Sequence, residues 1–168
     1  MHGPTCIFWA NLTAFSLQLL VGPCQGSVYL DNCKNCTVIA ACQQFRARKL
    51  SNCTILLFSH TRPVVESSSN VRFGCFSFGY RDLKAQLDAT GLNPLCNPWS
   101  QVHVFKAPND PTATVSYSFL SEQEEQGIGA QFRALLAAQA RRSSPFPESA
   151  QLSLRLPPAR ILHTRARM

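Results

Sequence analysis

Between residues 17 and 75 the apolar positions fall in short runs rich in β-branched residues, broken by Asn, Gly, Ser and Pro. That is the pattern of strands and turns. One run repeats. Asn35-Cys36-Thr37-Val38-Ile39 returns seventeen residues later as Asn52-Cys53-Thr54-Ile55-Leu56. Asn70-Val71-Arg72-Phe73 stands eighteen further on, and Gln18-Leu19-Leu20-Val21, seventeen before Asn35, is a degenerate copy. A second strand-like run lies between the copies each time: Ser27-Val28-Tyr29-Leu30, then Gln44-Phe45-Arg46-Ala47-Arg48, then Pro63-Val64-Val65-Glu66. A fixed short period predicts a stacked solenoid. Helical repeats need longer units, so the prediction is a parallel β-helix, an all-β fold. Stacking sets equivalent residues ~4.8 Å apart. Cys36 and Cys53 then become stacked, buried, small hydrophobes. Asn35, Asn52 and Asn70 take equivalent corners, where Asn tolerates unusual backbone angles.

After Cys75 the repeat stops. Tyr80–Thr90 reads as a short amphipathic helix, with Leu83 and Leu87 spaced i, i+4 and Gly91 as its C-terminal stop. Residues 93–100 form a loop ending near Trp99. Residues 121–142 read as a second helix, acidic at the start and closed by Arg141-Arg142, which suits the helix dipole. Residues 143–168, with four prolines and many arginines, read as a disordered tail.

Charge and cysteine narrow the function. The chain has 168 residues and a net charge of +7, which asks only weakly for an acidic or phosphate-bearing partner. The tail lacks the dense basic clusters and interleaved aromatics of a nucleic-acid binder, so none is expected. No apolar run is long enough for a membrane span. Eight cysteines and the sequons at Asn11, Asn35 and Asn52 invite a competing reading, a secreted disulfide-bonded protein. Against it, no Lys or Arg precedes Lys34, so the basic start of a signal peptide is missing. Cys33-Lys34-Asn35-Cys36 has the C-x-x-C spacing of a metal or redox pair. No second pair stands at metal-ligand spacing, and His2, His60, His103 and His163 are scattered, so no metal is expected. A phosphate-binding Gly-x-x-x-x-Gly-Lys loop is also lacking.

The repeat region resembles the C-CAP/cofactor C-like domain family, which includes tubulin-binding cofactor C and the X-linked retinitis pigmentosa protein. The residues that carry the resemblance are Gly26-Ser27-Val28-Tyr29-Leu30, Ala41-Cys42-Gln43-Gln44-Phe45-Arg46-Ala47-Arg48, Val65-Glu66-Ser67-Ser68-Ser69-Asn70 and Phe73-Gly74-Cys75-Phe76. Asn97-Pro98-Trp99-Ser100, Phe105 and Ser116–Leu120 continue it, and the Glu-Ser-Ser-Ser-Asn and Phe-Gly-Cys-Phe runs look more like the retinitis pigmentosa protein. The resemblance implies a right-handed parallel β-helix over residues 16–120 that acts on small GTPases. It implies activation of an Arf-like GTPase in its GTP state, serving delivery of lipidated cargo to the cilium, or a similar action on tubulin. By the same resemblance Arg46 is an arginine finger, Gln43 its companion and Glu66 a supporting acid. Gly26, Ser27, Gln44 and Phe45 lie near the partner's nucleotide, and Arg48, Trp99 and Phe105 belong to the partner surface. GTP and magnesium would be held by the partner; no cofactor of its own is expected, and the chain would work in the cytoplasm or at the ciliary base. A binding-only module for a GTPase or tubulin is the alternative.

Strand alternation agrees with an exposed finger. Phe45 and Ala47 go to one side of the strand, Gln44, Arg46 and Arg48 to the other. Glu66, twenty residues past Arg46, is expected to stack beside it. The departures are at the ends. Residues 1–15 do not resemble the family, and at least one N-terminal coil is expected to be missing, with this apolar stretch covering the open edge. Met1-His2 lacks a myristoylation start, and nothing after residue 125 resembles a second domain of the relatives.

Overall fold

The computed structural model describes residues 8–11, 17–106 and 114–143. The predicted disordered tail, from residue 144 on, and Cys6 lie outside the described residues. The elements, in order, are β1 (Phe8–Asn11), β2 (Gln18–Asp31), β3 (Thr37–Arg48), β4 (Ser51–Ser59), β5 (Val64–Glu66), β6 (Ser69–Cys75), α1 (Leu83–Thr90), β7 (His103–Phe105), β8 (Tyr117–Phe119) and α2 (Glu122–Ser143). Among the described residues every strand pair is parallel, in the order β1-β2-β3-β4-β6-β8, with β5 and β7 branching from β3. The sequence period is the coil. Thr37–Cys42 pairs with Thr54–Ser59, and Thr54–Leu57 pairs with Arg72–Cys75. The degenerate copy is a coil too, since Gln18–Val21 pairs with Thr37–Ala40.

Two positions in each coil use left-handed backbone. Asn35, Asn52 and Asn70 have φ of 54°, 54° and 50°. Their side chains form a ladder: Asn70 Nδ2 donates to Asn52 Oδ1 at 2.8 Å, and Asn52 Nδ2 donates to Asn35 Oδ1 at 3.4 Å. Asn suits this corner because it visits left-handed φ at little cost and can bond its stacked copy. The second corner, three residues earlier in each coil, is Asn32, Lys49 and Ser67, with φ of 53°, 53° and 44°. Lys and Ser meet a steric cost there that Asn does not.

The interior is a continuous apolar column: Val28, Leu30, Cys36, Val38, Cys42, Phe45, Cys53, Ile55, Leu57, Val65, Val71 and Phe73 all belong to one buried cluster. Each large aliphatic or aromatic side chain buried this way contributes ~1.5–3 kcal/mol of transfer free energy. From buried Phe45 and Phe73 a chain of edge-to-face pairs, with centroids 5.6–6.3 Å apart, leads out to exposed Tyr117 and Phe119 and half-buried Trp99. Cys36 and Cys53 are buried in this column, and the seven cysteines of the described residues are reduced thiols. Burial pushes the Cys42 thiol up to about 12 and the Cys53 thiol to about 11. That leaves the four-disulfide reading without a bridge among the described residues.

The helix expected over Tyr80–Thr90 starts at Leu83 and ends, as its glycine signals, at Gly91 with φ 66°. Near the start of α2, Ser121 and Glu124 form a capping box. The Ser121 N–H and hydroxyl donate to Glu124 Oε2 at 2.9 and 3.0 Å, which holds that carboxylate below its usual range. The next residue, Glu125, accepts the Cys75 N–H at 2.7 Å. Gly74 makes room for this docking, because a Cβ there would come within 2.7 Å of Leu56 Cδ2 and 2.9 Å of Glu125 Oε1 and Leu120 Cδ1. The chain divides into two units, Met1–Ala130 and Gln131–Met168. The described part of the second is the remainder of α2. Among the described residues no helix is long and apolar enough to cross a membrane.

Candidate functional site: an outward ladder around Arg46

The second half of each coil is a four-strand ladder with one face in the core and one outside. Phe45 and Ala47 are buried, whereas Gln44 and Arg48 are half-buried and Arg46 is exposed. This alternation is what a strand with one covered face requires. Register then fixes the outward grid. Tyr29, Arg46, Val64 and His103 form one row; Asp31, Arg48, Glu66 and Phe105 form the next. Ser27 and Gln44 stand at the near end, where the Ser27 hydroxyl donates to Gln44 Oε1 at 3.3 Å. The ladder extends to the N-terminal stretch, since Phe8–Asn11 pairs with Val28–Asp31.

The two arginines on this face differ. Among the described residues the Arg46 side chain has no hydrogen-bond or ion-pair partner. Arg48 is held by a two-pronged fork: Nε donates to Asp31 Oδ1 at 3.1 Å and Nη2 to Asp31 Oδ2 at 3.3 Å. The Asp31 hydrogen bond is the largest cause of a raised Arg48 pKa, followed by the charges of Tyr29 and Asp31. Asp31 itself is buried.

The expected stacking of Glu66 on Arg46 is corrected. Glu66 is in register with Arg48, and Val64 is the neighbour of Arg46. The reason is the period: a coil is eighteen residues here, so Glu66 falls opposite Arg48 and lies about 8 Å diagonally from the Arg46 backbone. The other expected site residues spread out. Gln43 is half-buried at the bend between the two halves of β3, where its carbonyl accepts the Thr61 N–H at 3.1 Å. Gly26 is buried within a register shift of β2. The Phe45 side chain lies wholly in the core, so only its backbone reaches the outward side. Phe105 is on the ladder and 39% exposed, whereas Trp99 is half-buried against the core cluster and packs edge-to-face on the exposed Phe119. The sequence reading missed Tyr29, Asp31 and His103. The signal was present: Asp31 precedes Arg48, and Tyr29 precedes Arg46, by one seventeen-residue coil.

Fold and ladder together define a short parallel β-helix that presents ordered rows of outward side chains, two arginines among them, on one face. Comparison with known proteins names its kin. Residues 14–105 match the family described as Tubulin binding cofactor C, and the chain belongs to that family. It is 32% identical over 111 residues to the human tubulin-specific chaperone C, covering 66% of this chain and 32% of that protein. It is 46% identical over 70 residues to Protein XRP2 of Mus musculus, covering 42% of this chain and 20% of the relative. The human XRP2 is 44% identical over the same length. The chain thus spans about a third or less of the length of these relatives.

Proposed function

We propose that this protein activates a small GTPase of the Arf-like class by inserting Arg46 beside GTP held by the partner. The observation that carries the reading is that Arg46 is exposed, and unpaired among the described residues, on a strand fixed by neighbours on both sides. GTP hydrolysis develops negative charge on the transferring phosphoryl group and the leaving oxygen. A planar guanidinium with fixed donors stabilises that charge, and such a residue is worth ~10³–10⁵ in rate, or about 4–7 kcal/mol of barrier. The nucleotide, its magnesium and the attacking water belong to the partner; this chain positions one cation. A strand in a stacked ladder suits that task because its backbone does not reorganise. Gln44 and Ser27 stand beside each other one step back along the ladder from Arg46, with Gln43 and Gly26 beyond them; these face the nucleotide in this reading, and Phe105 adds an apolar contact. The role extends to trafficking of lipidated proteins to the cilium, in the cytoplasm or at the ciliary base.

The test is single-turnover GTP hydrolysis by an Arf-like GTPase, with wild-type protein and with Arg46→Ala. Acceleration by the wild type alone supports the reading; equal rates with both defeat it. A second reading, binding to a GTPase or to tubulin without catalysis, is favoured by the placement of Glu66, which leaves Arg46 without an adjacent carboxylate brace. Affinity for the partner with an unchanged hydrolysis rate would identify it.

A further inference from the structure

Arg46 and Arg48 leave the same strand on the same side, about 6.6 Å apart along it. Both are within reach of one phosphate group, yet of the two only Arg46 is unpaired among the described residues. We infer that Asp31 is a positioning residue: it withholds Arg48 and thereby makes Arg46 the guanidinium that this face offers to a phosphate. Its purpose rests on the proposed GTPase reading, but its test does not.

The argument is geometric. Asp31 is the cross-strand partner of Arg48, and the two meet through both carboxylate oxygens at 3.1 and 3.3 Å. The Asp31 side chain is 12% exposed, so its contact with Arg48 is poorly screened by water. A forked contact of this kind fixes the guanidinium plane as well as its charge. Asp31 is in turn fixed by the ladder and by the corner at Asn32, whose N–H donates to the Arg48 carbonyl at 2.9 Å. A second loose arginine would add attraction to the phosphate in substrate and product alike. Uniform attraction tightens binding without lowering the barrier. Tying Arg48 down therefore favours transition-state stabilisation by Arg46.

Arginine labelling tests this on the protein alone. The neutral guanidine attacks the carbonyl carbons of phenylglyoxal, and limited labelling followed by peptide mass spectrometry gives a rate for each site. In the wild type Arg46 should label several-fold faster than Arg48. In Asp31→Asn the Arg48 rate should rise to near that of Arg46, with Arg46 unchanged. Equal rates in the wild type, or an Arg48 that stays protected in a folded Asp31→Asn, would overturn the inference. If that variant does not fold, the wild-type rates alone decide. A second arm uses hydrolysis: Asp31→Asn added to Arg46→Ala should recover part of the lost acceleration through the released Arg48, and no recovery overturns the positioning role. Should the wild type fail to accelerate any GTPase, the proposed function fails while the labelling pattern still judges Asp31.

Discussion

Strand β3 holds two regimes in twelve residues. From Val38 to Cys42 every side chain is buried, whereas from Gln44 to Arg48 buried and outward positions alternate. In the first half the outward side chains are covered as well: Ala41 packs with Phe58, Leu92, Phe76 and Leu87 of α1. In the second half nothing described covers the outward side of Arg46. The backbone ladder is the same in both. What differs is a second layer, and only the uncovered half has side chains free to meet a partner. Coverage, rather than strand geometry, separates scaffold from surface in this molecule.

The largest effect that would sharpen the contrast is kinetic. Arg46→Ala should remove ~10³–10⁵ of GTPase acceleration, measured by single-turnover hydrolysis, with its thermal midpoint nearly unchanged because the side chain is exposed. Its neighbour should behave in the opposite way. Phe45→Ala empties a fully buried site and should cost ~3–5 kcal/mol, read from denaturant unfolding. A Phe45→Ala protein as stable as Arg46→Ala would break the comparison.

Next come the thiols of the covered regime. Cys42 and Cys53, held up to about 12 and about 11 from an ordinary 9.0 by burial, should resist thiol reagents at pH 8 until the protein is unfolded. A thiol whose folded pKa is raised stabilises the fold fully below its unfolded value. That contribution should fade as pH climbs from about 9 toward about 12, visible as a falling thermal midpoint. Gly74→Ala, on the covered face of β6, should cost about 1–3 kcal/mol by overpacking against Leu56 and Leu120; an unchanged midpoint would show that the α2 start gives way freely. The smallest effect lies at a corner. Lys49→Asn should stabilise by about 0.5–1 kcal/mol, because Lys49 has φ 53° in a column where Asn is the cheaper occupant. A loss of stability in that variant would show that the Lys49 side chain contributes more than its backbone costs.

Much of this was legible in the chain. The seventeen-to-eighteen-residue period gave the coils, the Asn35–Asn52–Asn70 corner and the buried Cys36 and Cys53, because stacking forces equivalent residues into equivalent environments. Alternation placed Phe45 inward and Arg46 outward. The error over Glu66 has a physical origin. A count of twenty residues pointed to Arg46, while hydrogen-bond register, which a one-residue slip would invert, holds this coil to eighteen and puts Glu66 opposite Arg48. The Asn32–Lys49–Ser67 corner was missed because three different residue types share one backbone conformation, and only Asn32 is of a type that favours it.

By itself the sequence determined a parallel β-helix and the outward side of its arginines, since both follow from periods that local chemistry must obey. Which arginine stays unpaired is a different matter. Arg46 and Arg48 occupy equivalent places in the alternation, and their fates diverge only because the register of β2 sets Tyr29 beside one and the carboxylate of Asp31 beside the other. That choice rests on a contact between coils, and such contacts exist only once the chain has stacked.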